Sequence, residues 1–138
     1  MDKDSIYRDI FIRVAVDCQA EVATEPILRN GSKTQAVLEH ELLLPNPYKF
    51  TQEEFQFAVH LAHEGISKEE TEKARQEYFS ASHACLRASP LAKRWAWGFH
   101  FNSEGKVAMV PMGSAEYEKL ANDPSLKQLP AMRSKRQH

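Results

Sequence analysis

Alternation of apolar and polar positions along the chain predicts three β-strands. In residues 10–16, large aliphatic side chains recur at every second position, as in a strand with one buried face. Residues 94–101 and 106–112 show a similar pattern and flank Asn102-Ser103-Glu104-Gly105, where the glycine allows the positive φ of a tight loop. We therefore expect an N-terminal strand and a C-terminal β-hairpin.

Helix signals fill most of the remaining chain. Capping boxes, in which a Ser or Thr and a residue three positions later satisfy free backbone N–H groups, predict three helix starts: Ser32 with Gln35, Thr51 with Glu54, and Ser67 with Glu70. The first helix should end near residue 44 and the second at Gly65, while the third should continue to about residue 88. Ser114 predicts a short fourth helix that ends near residue 122.

The order of these elements predicts the fold class. A strand, three helices, a hairpin and another helix, without β-α-β alternation, indicate an α+β fold. We expect a small antiparallel sheet, formed by the N-terminal strand and the hairpin, packed against three to four helices. The 138 residues suit a single domain over 1–138. Residues 125–138 form a basic tail, and the sequence leaves open whether it is ordered.

Composition is typical of globular proteins, with 42% hydrophobic and 27% charged residues. Cys18 and Cys85 lack metal-ligand spacing, so free thiols in a reducing compartment are expected. The polar, acidic N-terminus does not resemble a signal peptide, and no apolar run approaches the roughly 20 residues of a membrane span. These features predict a soluble, cytoplasmic protein that does not bind a membrane.

Charge is unevenly distributed, although the net charge is −1. Residues 1–86 hold nine Lys/Arg against fifteen Asp/Glu, a charge of −6, whereas residues 87–138 hold nine against four, a charge of +5. The basic third suggests a nucleic-acid or protein interaction module. No nucleic-acid fold signature accompanies it, so nucleic acid is the less favoured partner, and two halves with complementary charge explain the same pattern.

The hairpin presents a candidate site for an anion. If the first strand begins at Arg94, then Arg94, Ala96, Gly98 and His100 share one face, where two small residues leave an open floor between a cation and an imidazole. We predict a small binding domain for an anionic or carboxylate-bearing small molecule. An ordinary solvent-facing sheet surface is the alternative. The predicted ligand-binding residues are Arg94, His100, Arg13 and Arg87.

A second hypothesis is a metal-dependent enzyme. His60 and His63 lie three positions apart on the second predicted helix and therefore share a face, as metal-binding imidazoles do. The sequence specifies no third ligand, and His83 or His100 would serve only if the fold brings it close. A hydrated helix face is the simpler explanation. Phosphate-loop and dinucleotide motifs are absent, so no cofactor is predicted, and whether the protein is an enzyme stays open.

Several stretches resemble a known family. They are CLRASPLAKRWAWG at residues 85–98, NPYKFT at 46–51, FIRVA at 11–15 and MRSKR at 132–136. Together they resemble a family of small uncharacterised bacterial proteins (domain of unknown function, family 6157). The likeness spans nearly the whole chain and implies a complete single-domain protein. It implies no activity, cofactor or catalytic residue.

Overall fold

The computed structural model describes residues 7–134. These residues form a five-stranded sheet with helices on both faces. No helix in this part is long and apolar enough to cross a bilayer. The strands are β1 (Ile10–Arg13), β2 (Phe50–Thr51), β3 (Trp97–Phe101), β4 (Lys106–Pro111) and β5 (Lys127–Pro130). The helices are α1 (Gln35–Leu43), α2 (Gln52–Glu64), α3 (Thr71–Phe79), α4 (Pro90–Arg94) and α5 (Ala115–Ala121), with 3₁₀ turns at Lys68–Glu70 and Leu86–Ala88.

The sheet confirms the α+β class, and its topology is richer than the sequence pattern predicts. Its strand order is β2-β4-β3-β1-β5. The predicted hairpin is formed by β3 and β4, and β1 lies antiparallel beside β3. The prediction of an antiparallel sheet made only of these three strands is wrong, because β2 adds to β4 and β5 adds parallel to β1. Neither extra strand shows strong alternation, so tertiary pairing decides both.

Part of the basic tail makes hydrogen bonds to the rest of the chain. After β5, the backbone N–H of Ala131 donates to the carbonyl of Arg13 at 2.9 Å. Further on, the backbone N–H of Ser134 donates to the carboxylate of Asp17 at 2.9 Å. The sequence left the order of this tail open, and these contacts join its residues up to 134 to the rest of the fold, whereas residues 135–138 lie outside the described residues.

The core has two parts, one on each face of the sheet. On one face, Ile12 and Phe99 pack with α1, α2 and α4, and both side chains are fully buried. On the other face, Phe11 and Val110 pack against Tyr117 of α5. Successive residues of a strand point to opposite faces, so the alternation in β1 serves both parts of the core.

The third helix is shorter than its pattern predicts. Helix α3 ends at Phe79, and residues 80–85 have no regular structure. Two side chains that follow the helix donate hydrogen bonds to carbonyl oxygens of its last turn. Ser80 Oγ donates to Glu77 O and His83 Nε2 donates to Tyr78 O, both at 2.7 Å. Such local bonds compete with helix continuation. Consequently His83 lies in a loop and not on a helix.

The hairpin strand also begins later than predicted. Residues 90–94 form α4, which Ser89 caps by accepting a hydrogen bond from the backbone N–H of Leu91. Ala96 then has a φ of 64°, a left-handed conformation that interrupts the two-residue period before β3 starts at Trp97. Arg94 therefore does not lie on the strand.

Gly98 lies directly beneath the rings of Phe11 and Tyr117, where α5 packs on the sheet. A Cβ at this position would lie 2.9 Å from the Ile12 carbonyl oxygen, the Phe11 ring and the Tyr117 ring. The backbone oxygen cannot move without disturbing the β1–β3 pairing. We expect Gly98→Ala to lower the free energy of unfolding by about 1–3 kcal/mol, measured by urea denaturation.

Gly65→Ala provides a comparison for this variant. Gly65 has no atom within 4 Å of an added Cβ but has a φ of +65°. Its substitution should cost only about 1 kcal/mol for the left-handed backbone. A loss at Gly98 below that at Gly65 would contradict the close packing of α5 on β3.

Candidate functional site

A cleft of about 250 Å³ lies between α1, α2 and the residues that follow α3. We call it the imidazole cleft, because three histidines line it. Its lining residues are Gln35, Glu39, Gln56, Val59, His60, His63, Tyr78, His83 and Ala84.

Helix geometry places the polar groups of the cleft. Gln56, His60 and His63 follow one another on α2 at spacings of four and three residues, so they share a face. The capping box of Thr51 and Glu54, predicted from the sequence and present in the structure, fixes where α2 begins. The position of this helix start therefore helps to determine which side chains of α2 face the cleft.

Glu39 is the most buried polar side chain of the cleft, with 2% of its surface exposed. Its carboxyl oxygens accept hydrogen bonds from Ser89 Oγ at 2.6 Å and Gln35 Nε2 at 3.1 Å. Burial raises the pKa of Glu39 above its ordinary value, and the two hydrogen bonds oppose that shift in part. The protonated form of Glu39 is therefore favoured relative to that of a surface glutamate.

An aromatic wall lies across the cleft. The imidazole of His83 stacks on the ring of Tyr78 with 3.7 Å between centroids and 9° between planes, and His60 lies 4.8 Å from the same ring. Burial raises the pKa of the Tyr78 hydroxyl, and the charge of Glu53 adds to the shift. Because His83 Nε2 donates to a carbonyl, its Nδ1 is the nitrogen left for other contacts.

Three of the four histidines considered for the metal hypothesis line the same cleft, but they are not arranged as metal ligands. His60, His63 and His83 all line the cleft, whereas His100 lies in β3 on the face covered by α5. His63 is hydrogen-bonded to Glu64 at 3.1 Å. Within residues 7–134, no three His, Cys, Asp or Glu side chains are grouped so as to hold a metal ion.

The predicted anion surface is not open. Ala96 is fully buried, and Gly98 lies under the rings of Phe11 and Tyr117, so the two small residues leave no exposed floor. Arg94 is exposed at the end of α4 and does not alternate with His100. The open floor that this interpretation assumed is therefore filled by α5, and anion binding by these residues stays a prediction.

The other residues predicted for that surface have separate contacts. Arg13 Nη2 donates to the carbonyl of Ala121, at the end of α5, at 2.7 Å. Arg87 Nε donates to the carbonyl of Pro130 at 2.7 Å and so holds β5. Neither arginine lines the imidazole cleft.

His100 has acidic surroundings. Its Nδ1 lies 2.7 Å from the hydroxyl of Tyr48, whose backbone has a φ of 58°. Burial lowers the pKa of His100, and the negative charges of Glu116, Asp123 and Asp9 oppose that shift. These carboxylates would repel an anion at this position.

Sequence reasoning did not identify Glu39 or Tyr78 as site residues. A signal for Glu39 was present, because Ala36 and Leu43 at positions i−3 and i+4 make it an acid on the apolar stripe of α1. Tyr78 carried no comparable signal. It also has an apolar role, since the Phe57 ring lies 5.5 Å away.

We expect Glu39→Gln to change the pH dependence of stability. A raised carboxyl pKa in the folded state means that the protonated form stabilises the fold, and this contribution is lost as the pH rises above about 4. The stability of the variant relative to wild type should therefore increase from pH 4 to pH 8. Urea denaturation of both proteins at the two pH values measures this difference.

Glu41→Gln is the matched control, because Glu41 lies on the same helix but is exposed and paired with Lys33 at 2.9 Å. It should change stability by less than about 0.5 kcal/mol at either pH. An equal pH effect in both variants would contradict the role assigned to the burial of Glu39.

Comparison with known proteins supports the likeness indicated by the motifs. Residues 2–137 match the model of a family described as a family of unknown function (DUF6157). No curated protein and no solved structure matches the chain. Because the match covers nearly every residue, the chain belongs to the family DUF6157.

Proposed function

We propose that this protein binds a small cationic ligand with N–H groups in the imidazole cleft, with Glu39 as the anchor. The observation that supports this proposal is the burial of Glu39, which is 2% exposed and borders the cleft. Among the described residues that line the cleft, none is Lys or Arg. Within residues 7–134, Glu39 forms no salt bridge. A ligand cation would supply the charge partner that a buried carboxylate requires.

Charges around the cleft favour the same kind of ligand. Glu53 is close enough to Tyr78 to affect its pKa, and Glu64 is hydrogen-bonded to His63. Arg75, from α3, instead lies over the rings of Phe57 and Phe79, at 5.6 and 5.1 Å from their centroids. Two acidic groups thus lie close to residues that line the cleft, and their negative charge favours a cation there.

The volume of the cleft and its hydrogen-bond acceptors limit the kind of ligand further. A volume of about 250 Å³ is below the roughly 300–1,000 Å³ of pockets for drug-sized ligands. The cleft therefore suits a small molecule or the head group of a larger one. Side-chain oxygens of Gln35 and Gln56, and neutral imidazole nitrogens, accept hydrogen bonds from N–H groups.

The anionic ligand and the interaction module both stay predictions. Their residues lie outside the imidazole cleft, and the acids near His100 favour neither a carboxylate nor a phosphate there. The metal-dependent enzyme would use the same cleft, but it lacks a convergent third ligand among the described residues. The cationic ligand is the function that the geometry of the cleft supports best.

Butylammonium and butyrate, which have similar size and opposite charge, test this proposal. We expect butylammonium at pH 8 to shift the NMR signals of residues that line the cleft, and butyrate to leave them unchanged. Glu39→Gln should weaken butylammonium binding by about tenfold or more, because a charged hydrogen bond is worth about 1.5–3 kcal/mol.

Glu41→Gln serves as the control and should bind butylammonium as wild type does. Equal binding to wild type and Glu39→Gln would refute the anchoring role. Binding of butyrate that is lost in Arg94→Glu would overturn the proposal in favour of the anion surface.

A further inference from the structure

We infer that the ligand of the imidazole cleft has a planar cationic head, such as a guanidinium, that stacks on the ring of Tyr78. The imidazole of His83 occupies this position in the free protein and moves aside when the ligand binds. This inference rests on the proposed function, and it adds the shape of the ligand and a gate to the site.

The contact between His83 and Tyr78 is unusually flat for two side chains. Aromatic pairs commonly prefer offset or edge-on arrangements with about 4.5–7 Å between centroids. Here the separation is 3.7 Å and the planes differ by 9°. The face of Tyr78 is thus a flat surface that accepts a small nitrogen-containing ring, and His83 is the ring that now covers it.

Within residues 7–134, the contacts that hold His83 in this place are local. Its ring is exposed, and besides the stack it donates a hydrogen bond to Tyr78 O, five residues earlier. The segment after it is fixed, because Gln56 Nε2 donates to Ala84 O and the Leu86 N–H donates to Gln52 Oε1. Residues 80–83 can therefore move His83 aside without disturbing the core.

The groups left behind match a guanidinium. Removal of the imidazole exposes the flat face of Tyr78 and its carbonyl acceptor in the same cleft as the Glu39 carboxyl. A guanidinium is planar, stacks on aromatic faces and offers five N–H donors, two of which can bind one carboxylate. An ammonium is compact and hydrated, so it would bind Glu39 without using the Tyr78 face.

A gate of this kind weakens binding by a calculable amount. The apparent dissociation constant equals the intrinsic constant divided by the fraction of molecules in which His83 is out. Removing the imidazole sets that fraction to one. The gain in affinity should appear only for a ligand that needs the Tyr78 face.

Butylguanidinium and butylammonium, which share chain length and charge, distinguish these cases. We expect His83→Ala to bind butylguanidinium about five- to tenfold more tightly than wild type and to change butylammonium binding by less than twofold. Ser82→Ala, in the same exposed segment, is the control and should leave both affinities unchanged. Circular dichroism verifies that the variants fold alike.

A second measurement uses wild type alone. The His83 ring protons lie over Tyr78 and should show ring-current shifts in the NMR spectrum, and saturating butylguanidinium should move them toward values of an unstacked histidine. Unchanged shifts on binding would overturn the displacement of His83.

The outcomes separate the gate from the proposed function. If butylammonium binds but His83→Ala weakens butylguanidinium binding, or tightens both probes equally, the inference is wrong and the proposed function stands. If neither probe binds wild type or His83→Ala, the cationic-ligand function itself is wrong.

Discussion

One buried hydroxyl links the parts of this protein on which the cleft depends. Ser89 is 3% exposed, accepts the backbone N–H of Leu91 and donates to the carboxyl of Glu39. It thereby caps α4, which leads into the central strand β3, and holds the buried acid of α1. Because both partners are buried, neither can be satisfied by bulk water if the hydroxyl is lost. The Ser89 hydroxyl therefore adds a polar link between α1 and α4 to their apolar packing and holds the candidate anchor in place.

The sheet separates two groups of titratable residues with different surroundings. On the side of α1 and α2, Glu39 and three histidines border a cleft whose second wall is aromatic. On the side of α5, His100 is hydrogen-bonded to Tyr48 and lies near carboxylates. The glycine at position 98 lets the Tyr117 ring of α5 pack directly on the sheet, so the space above this position is filled.

Local signals located some helix ends correctly and missed others. The capping boxes predicted at Ser32 and Ser67 do not form, since Thr34 caps α1 and Ser67 makes no side-chain capping hydrogen bond. The capping box at Thr51, the left-handed Gly65 and the cap at Ser114 all appear in the structure as the sequence predicts. The third helix shows the limit of such reasoning. Its apolar pattern continues past Phe79, but hydrogen bonds from Ser80 and His83 to the last carbonyls end it there.

The sequence by itself determined the α+β class, the starts of α2 and α5, the hairpin and the pairing of His60 with His63 on one face, since each depends on residues close together in the chain. Only the tertiary structure decided that β5 joins the sheet, that α5 closes the surface around Gly98, and that Glu39 borders the same cleft as His83. These contacts join residues far apart in sequence. Their existence depends on how whole elements pack, which no local pattern records.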